Sequence, residues 1–132
     1  IVIDRRFLIE ENIDDVKREI IDCLERVKNS RENFSYSLKN LHEVIPSMTS
    51  KKSDLVKTLE QSIQTIIGKK PEYVISPGTY DQKHIDRIGK LKNCVAYGPG
   101  ILDLAHQPDE YIEIQDMIDS SKIMLLTIDK IL

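Results

Sequence analysis

Residues 94–106 read Cys94-Val95-Ala96-Tyr97-Gly98-Pro99-Gly100-Ile101-Leu102-Asp103-Leu104-Ala105-His106. Four residues suited to a short buried strand are stopped by Gly-Pro-Gly, since glycine and proline together punctuate a regular element. The pattern occurs once upstream, where Tyr73-Val74-Ile75 runs into the turn Ser76-Pro77-Gly78-Thr79. Short apolar strands between helices predict a parallel sheet buried on both faces. Open α/β sheets place their sites in the loops beyond the C-terminal ends of such strands. The loop from Ser76 to Asp81 and the loop ending at His106 are therefore the first places to look for chemistry.

Working outward, helical signals flank these runs. Ser53 is suited to cap a helix whose apolar stripe is Leu55, Val56, Leu59, Ile63, Ile66 and Ile67, and Gly68 followed by Pro71 ends it. Asp81 to Ile88 reads as a short helix closed by Gly89. A last helix is expected over Ile114 to Leu132, with Ile114, Met117, Ile118, Ser121, Leu125, Ile128 and Leu132 as its buried stripe. At the other end, Ile1 to Ile9 is rich in β-branched residues and reads as a strand, which sets Asp4 and Arg6 on one face and Arg5 on the other. Asn12 caps a helix carrying Asp14 and Asp15 in its first turn, where the helix dipole favours them. Its apolar positions are Ile13, Val16, Ile20, Cys23, Leu24 and Val27. Phe34, Tyr36 and Leu38 then alternate with polar residues, as in a strand with one wet face. The polar stretch Pro46 to Ser53 is the domain boundary. The reading is thus an α/β chain: a strand-helix-strand unit over residues 1–48 and a parallel-sheet piece over 53–132.

Composition bounds the function. The chain has 132 residues, 40% apolar and 31% charged, with 5% aromatic residues and a formal net charge of -3. That suits a soluble, aliphatic-cored protein with no general attraction to nucleic acid or anionic lipid. No apolar run is long enough to span a membrane, and no signal peptide is visible. Cys23 and Cys94 form no CxxC pair and read as reduced thiols of a cytoplasmic protein. The sequence begins at Ile1 and reads as a strand already under way, which points to processing or to a longer parent. The three histidines, His42, His84 and His106, match neither HExxH nor a compact zinc finger. There is no G-x-S-x-G elbow and no P-loop.

Four segments carry a resemblance. They are the opening IDRRFLIEENIDDVKREI, then IIGKKPEY, then GTYDQKHI, then YGPGILDLAHQPDEYIEIQDMIDSSKIML. In order and approximate spacing they resemble the C-terminal part of the metal-dependent amidohydrolases that include acetylornithine deacetylase, succinyl-diaminopimelate desuccinylase and aminoacylase. The resemblance implies the second half of a lid-type α/β sandwich, which mediates dimerisation, joined to the C-terminal part of a parallel-sheet zinc-hydrolase domain.

The resemblance also implies roles. His106 would be the family's last metal ligand, with two zinc ions per complete site and at most one ligand in this chain. Arg6 would bind the substrate carboxylate, a task for which the guanidinium fork suits both oxygens. Gly78 and Thr79 would contact the same end of the substrate, and Glu110 would support the loop. No catalytic residue is expected in the chain. The general-base Glu and the other ligands would lie upstream, so the chain alone would be inactive. Gln82 and Lys83 stand where the family often has a small residue and Arg, which puts substrate contact there in doubt. The implied substrate is an N-acyl amino acid or small peptide, and the implied assembly a homodimer. Two other readings stay open: a non-enzymatic α/β dimerisation or regulatory module, and an unrelated small α/β binding domain with His106 an ordinary loop residue. If two domains are each cut, Ile-rich helix faces should lie bare.

Overall fold

The computed structural model of the chain describes residues 1–75 and 80–132. The chain divides into two compact units, Ile1–Met48 and Thr49–Leu132.

The first unit is built on one helix, α1, Ile13–Ser30. Asn12 sits in extended backbone and its side-chain oxygen accepts the Asp14 N–H at 2.8 Å, satisfying one of the donors that a helix N-terminus leaves free. Val16 is its buried residue. Side chains hold the flanking segments to the helix. Arg5 reaches Glu11 at 2.7 Å and Glu19 at 3.4 Å, and the Glu11 carboxylate also accepts the Leu8 N–H at 2.6 Å. Beyond the helix, the Tyr36 hydroxyl donates to Glu25 at 2.6 Å. Lys17 pairs with Glu43 at 2.6 Å.

The second unit is a helix pair with a looped excursion between its members. Helix α2 covers Asp54–Ile67, with the Ser53 hydroxyl accepting the Val56 N–H and with Gly68 ending it at φ 78. Helix α3, Gln82–Arg87, follows, then a 3-10 turn at Leu102–Leu104, then α4, Ile114–Ile131. Helices α2 and α4 pack together. From α2 the buried residues are Val56, Ser62 and Ile63; from α4 they are Ser120, Ile123 and Thr127. Small residues let the helix backbones approach. Two of the buried hydroxyls are satisfied within their own helices, Ser62 on the Thr58 carbonyl at 2.9 Å and Thr127 on the Ile123 carbonyl at 2.7 Å. Ile123, 0% exposed, is thereby closed into a contact that strands no polar group.

Two expectations are corrected. The described residues form helices and no strand, so the α/β sandwich and the parallel sheet are not the architecture of this chain. A strand exists only as part of a ladder, and none of the expected strands finds a ladder partner among the described residues. The Leu8 N–H goes to the Glu11 carboxylate, and the Cys94 N–H goes to the Thr49 hydroxyl. Val74 and Ile75 are 75% and 88% exposed. β-branched composition specifies extended backbone; it cannot supply the neighbouring chain.

The second correction concerns α4. The stripe Ile114, Met117, Ile118, Ser121, Leu125, Ile128 and Leu132 faces outward, with Ile114 76% and Leu125 70% exposed. The buried face is the one with the smaller side chains, Ser120, Ile123 and Thr127. Counting large apolar residues selects the wrong face of a helix that is apolar on two sides, because close helix contact favours small residues.

Candidate functional site

His106 lies just beyond the 3-10 turn, and its placement follows from a run of local hydrogen bonds. Leu104 N–H donates to the Ile101 carbonyl at 3.0 Å and Ala105 N–H to the Leu102 carbonyl at 3.1 Å. Gln107 N–H then returns to the Leu104 carbonyl at 3.0 Å, and Glu110 N–H to the Gln107 carbonyl at 3.2 Å. Reversal of the chain inside so short a loop forces His106 to φ 65, in the left-handed region. For a residue with a Cβ that conformation costs about 1–2 kcal/mol. Glu110 offsets the cost: its carboxylate accepts the His106 N–H at 2.9 Å. The side chain of His106 is exposed, and its backbone is held.

The segment leading to this loop is anchored on two sides. Half-buried Tyr97 shares a hydrogen bond with the Ser120 hydroxyl of α4, and burial, the largest influence, pushes its phenol pKa upward. At Cys94 the backbone N–H donates to Thr49 Oγ1 at 3.1 Å. Gln82, the first residue of α3, donates its side-chain amide to the same hydroxyl at 3.0 Å.

The other candidate residues are placed as follows. Arg6, in the first unit, has a side chain 62% exposed, with Nη2 3.6 Å from Asp4 Oδ2. Arg5 turns instead to Glu11 and Glu19, and its carboxylate partner Glu11 is drawn below the usual carboxylate range, first by Arg5 and then by the Leu8 N–H. Gly78 and Thr79 lie outside the described residues. His42 is exposed, and His84 is half-buried in α3, where its carbonyl accepts the Ile88 N–H at 2.8 Å. Arg6 belongs to the first unit and His106 to the second.

The fit to a metal is limited. Among the described residues no group of three or more His, Cys, Asp or Glu side chains could hold an ion. A catalytic zinc takes about three protein ligands and a water. His106 has the chemistry of one such ligand, and no reaction step follows from one imidazole. No described helix is long and apolar enough to cross a membrane.

One residue of the site escapes sequence reading. Thr49 lies in a Ser-, Thr- and Lys-rich turn that looks like a linker; nothing local signals that its hydroxyl bonds residues 33 and 45 positions away. For Glu110, which the resemblance implies supports the loop, the structure adds the hydrogen bond its carboxylate accepts from the His106 N–H.

The chain is similar to known proteins along nearly its whole length. The model of peptidase family M20/M25/M40 matches residues 4–130. A Bacillus subtilis (strain 168) protein named "Putative dipeptidase YtjP" is 37% identical over 102 residues, 74% of this chain and 20% of that protein. A succinyl-diaminopimelate desuccinylase of Nitrosospira multiformis is 29% identical over 127 residues, 96% of this chain and 31% of that protein. A second succinyl-diaminopimelate desuccinylase, from Sulfurimonas denitrificans, is 34% identical over 65 residues, 49% of this chain and 18% of that protein. The chain therefore spans 18–31% of the length of these relatives. No solved structure matches it. The match over residues 4–130, which takes in both units and the His106 loop, establishes that the chain belongs to peptidase family M20/M25/M40.

Proposed function

We propose that this chain supplies substrate- and metal-binding residues to a zinc-dependent hydrolase. That enzyme would cleave the amide bond of an N-acyl amino acid, in the manner of a deacetylase or desuccinylase, or of a small peptide. The observation that carries the reading is the family match over residues 4–130. The names of two relatives point to desuccinylation and that of a third to dipeptide cleavage. The His106 loop supports it: an exposed imidazole on a backbone fixed in the left-handed region suits a ligand that must be in place before the metal arrives.

In this reading His106 is one ligand of one zinc ion. Arg6, with a side chain 62% exposed, meets the substrate carboxylate with its forked donors. Gly78 and Thr79 contact the same end of the substrate. A zinc ion supplies Lewis-acid activation of water when bound. On this reading His106 is the one metal ligand the chain contributes, and the 132-residue chain by itself would not hydrolyse the substrate. A homodimer and a cytoplasmic location complete the proposal.

The test uses the full-length protein, assayed for release of the free amino group from N-succinyl and N-acetyl amino acids and from dipeptides, with and without a chelator. Chelation should abolish hydrolysis and added zinc restore it. His106→Ala should lower zinc content and remove activity. Full activity at full zinc loading in that variant would overturn the assignment.

A further inference from the structure

We propose that Thr49 is a positioning residue that fastens the two ends of the α3 excursion together and so holds the segment that leads to the His106 loop. The inference rests on the functional reading above for what that loop does, and on the geometry of Thr49 for how it is held.

A threonine hydroxyl has one proton to donate and two lone pairs that accept. Thr49 uses all three. It accepts from Gln82 Nε2 at 3.0 Å and from the Cys94 N–H at 3.1 Å. Its one proton has two carbonyl acceptors within reach, Cys94 at 2.5 Å and Lys92 at 2.9 Å. Gln82 is where the chain enters α3, and Cys94 is where it leaves the excursion. One oxygen atom therefore bridges the two ends of a thirteen-residue span, residues 82–94.

Helix α3 has six residues and buries none of them. Inside the excursion, Leu91 N–H meets the Ile85 carbonyl at 3.3 Å, and Lys92 pairs with Asp86 at 3.8 Å. These two contacts shape the span internally; the Thr49 hydroxyl joins its ends.

What enters and leaves the mouth gives the clasp its consequence. The entering side, among the described residues, is Tyr80 and Asp81 leading into Gln82. The leaving side runs from Cys94 through Gly98-Pro99-Gly100 to His106. Thr49 touches neither substrate nor metal; it acts through Gln82 and Cys94. This also assigns Gln82 a role, since its amide is committed to Thr49.

The experiment is hydrogen exchange read by mass spectrometry on the full-length protein, comparing wild type with Thr49→Val, Thr49→Ser and Gln82→Ala. Valine keeps the shape and removes the hydroxyl. It should speed exchange at least tenfold in peptides covering both 80–87 and 91–106, and leave α2 and α4 protected. Serine should restore the wild-type pattern in both. Gln82→Ala, which spares Thr49, should loosen the entering side and raise exchange at Cys94, and it decides the question if the valine variant does not fold. Faster exchange confined to the immediate neighbours of Thr49, a serine variant as loose as valine, or Gln82→Ala without effect on the Cys94 peptide would each overturn the clasp. Hydrolysis is measured in parallel. A wild-type protein inactive on every N-acyl amino acid and dipeptide would defeat the proposed function, while the exchange data would still decide the clasp.

Discussion

The Glu110 carboxylate accepts the backbone N–H of His106 at 2.9 Å, and His106 holds φ 65. A charged acceptor thus stabilises a left-handed histidine four residues upstream. Removing it by Glu110→Ala leaves the strain uncompensated, at about 1–2 kcal/mol for a hydrogen bond to a charged group in an exposed loop. Glu110→Gln keeps an acceptor oxygen and should retain most of the effect. The readout is exchange of the His106 amide together with zinc affinity of the full-length protein. Equal exchange rates in wild type and Glu110→Ala would show that the loop holds without the carboxylate.

Ile123 is the α4 residue closed completely against α2. Ile123→Ala should destabilise the second unit by about 2–4 kcal/mol, the cost of lost transfer energy and a residual cavity. Ile114→Ala, on the outward face at 76% exposure, should change stability by less than about 0.5 kcal/mol in this chain. Chemical denaturation of the two variants separates the faces; equal losses would refute the burial pattern.

Gly68 ends α2 at φ 78, and a Cβ built there meets nothing within 4 Å. The cost of Gly68→Ala is therefore backbone strain alone, about 1 kcal/mol. Gly68→Asn should cost less, since asparagine tolerates the left-handed region. An alanine variant as stable as wild type would mean that the helix end is not held in that conformation in solution.

The first unit should respond to acid. Glu11 is held below the ordinary glutamate value of about 4.3 by Arg5 and by the Leu8 N–H, and Glu43 is held low chiefly by Lys17. A carboxyl whose folded pKa is depressed contributes stability that is complete above its unfolded value and is lost as the pH falls through its folded value. The attachment of residues 1–8 to α1 should therefore persist from neutrality to about pH 4.3 and be released below it. Amide exchange at Leu8, corrected for intrinsic rates, follows this directly. High salt at neutral pH should loosen the same contacts, because these pairs are solvent-exposed. A Leu8 amide whose protection does not fall at any acid pH below about 4.3 would contradict the Arg5–Glu11–Leu8 arrangement.

The helices and their caps were legible because their causes lie within a few residues. Asn12 and Ser53 cap because each carries a short side-chain oxygen before an apolar period, and Gly68 terminates because it alone lacks a Cβ. The family was legible for a related reason: its motifs are short local strings in a set order, and the match over residues 4–130 follows them. Local reasoning went astray wherever a residue's partner is distant in sequence. Tyr73 to Ile75 and Cys94 to Tyr97 have strand composition, but a ladder needs a second chain at about 5 Å, which composition cannot supply. Which face of α4 is buried depended on the surface α2 presents, where Ser62 leaves room for Ser120, Ile123 and Thr127. His106 and Glu110 could be named from the loop's motif; the left-handed backbone and the hydrogen bond from the His106 N–H to Glu110 appear only once the loop is folded. Thr49 looked like linker because its three partner residues stand 33 to 45 positions away, and only tertiary structure brings them to one oxygen.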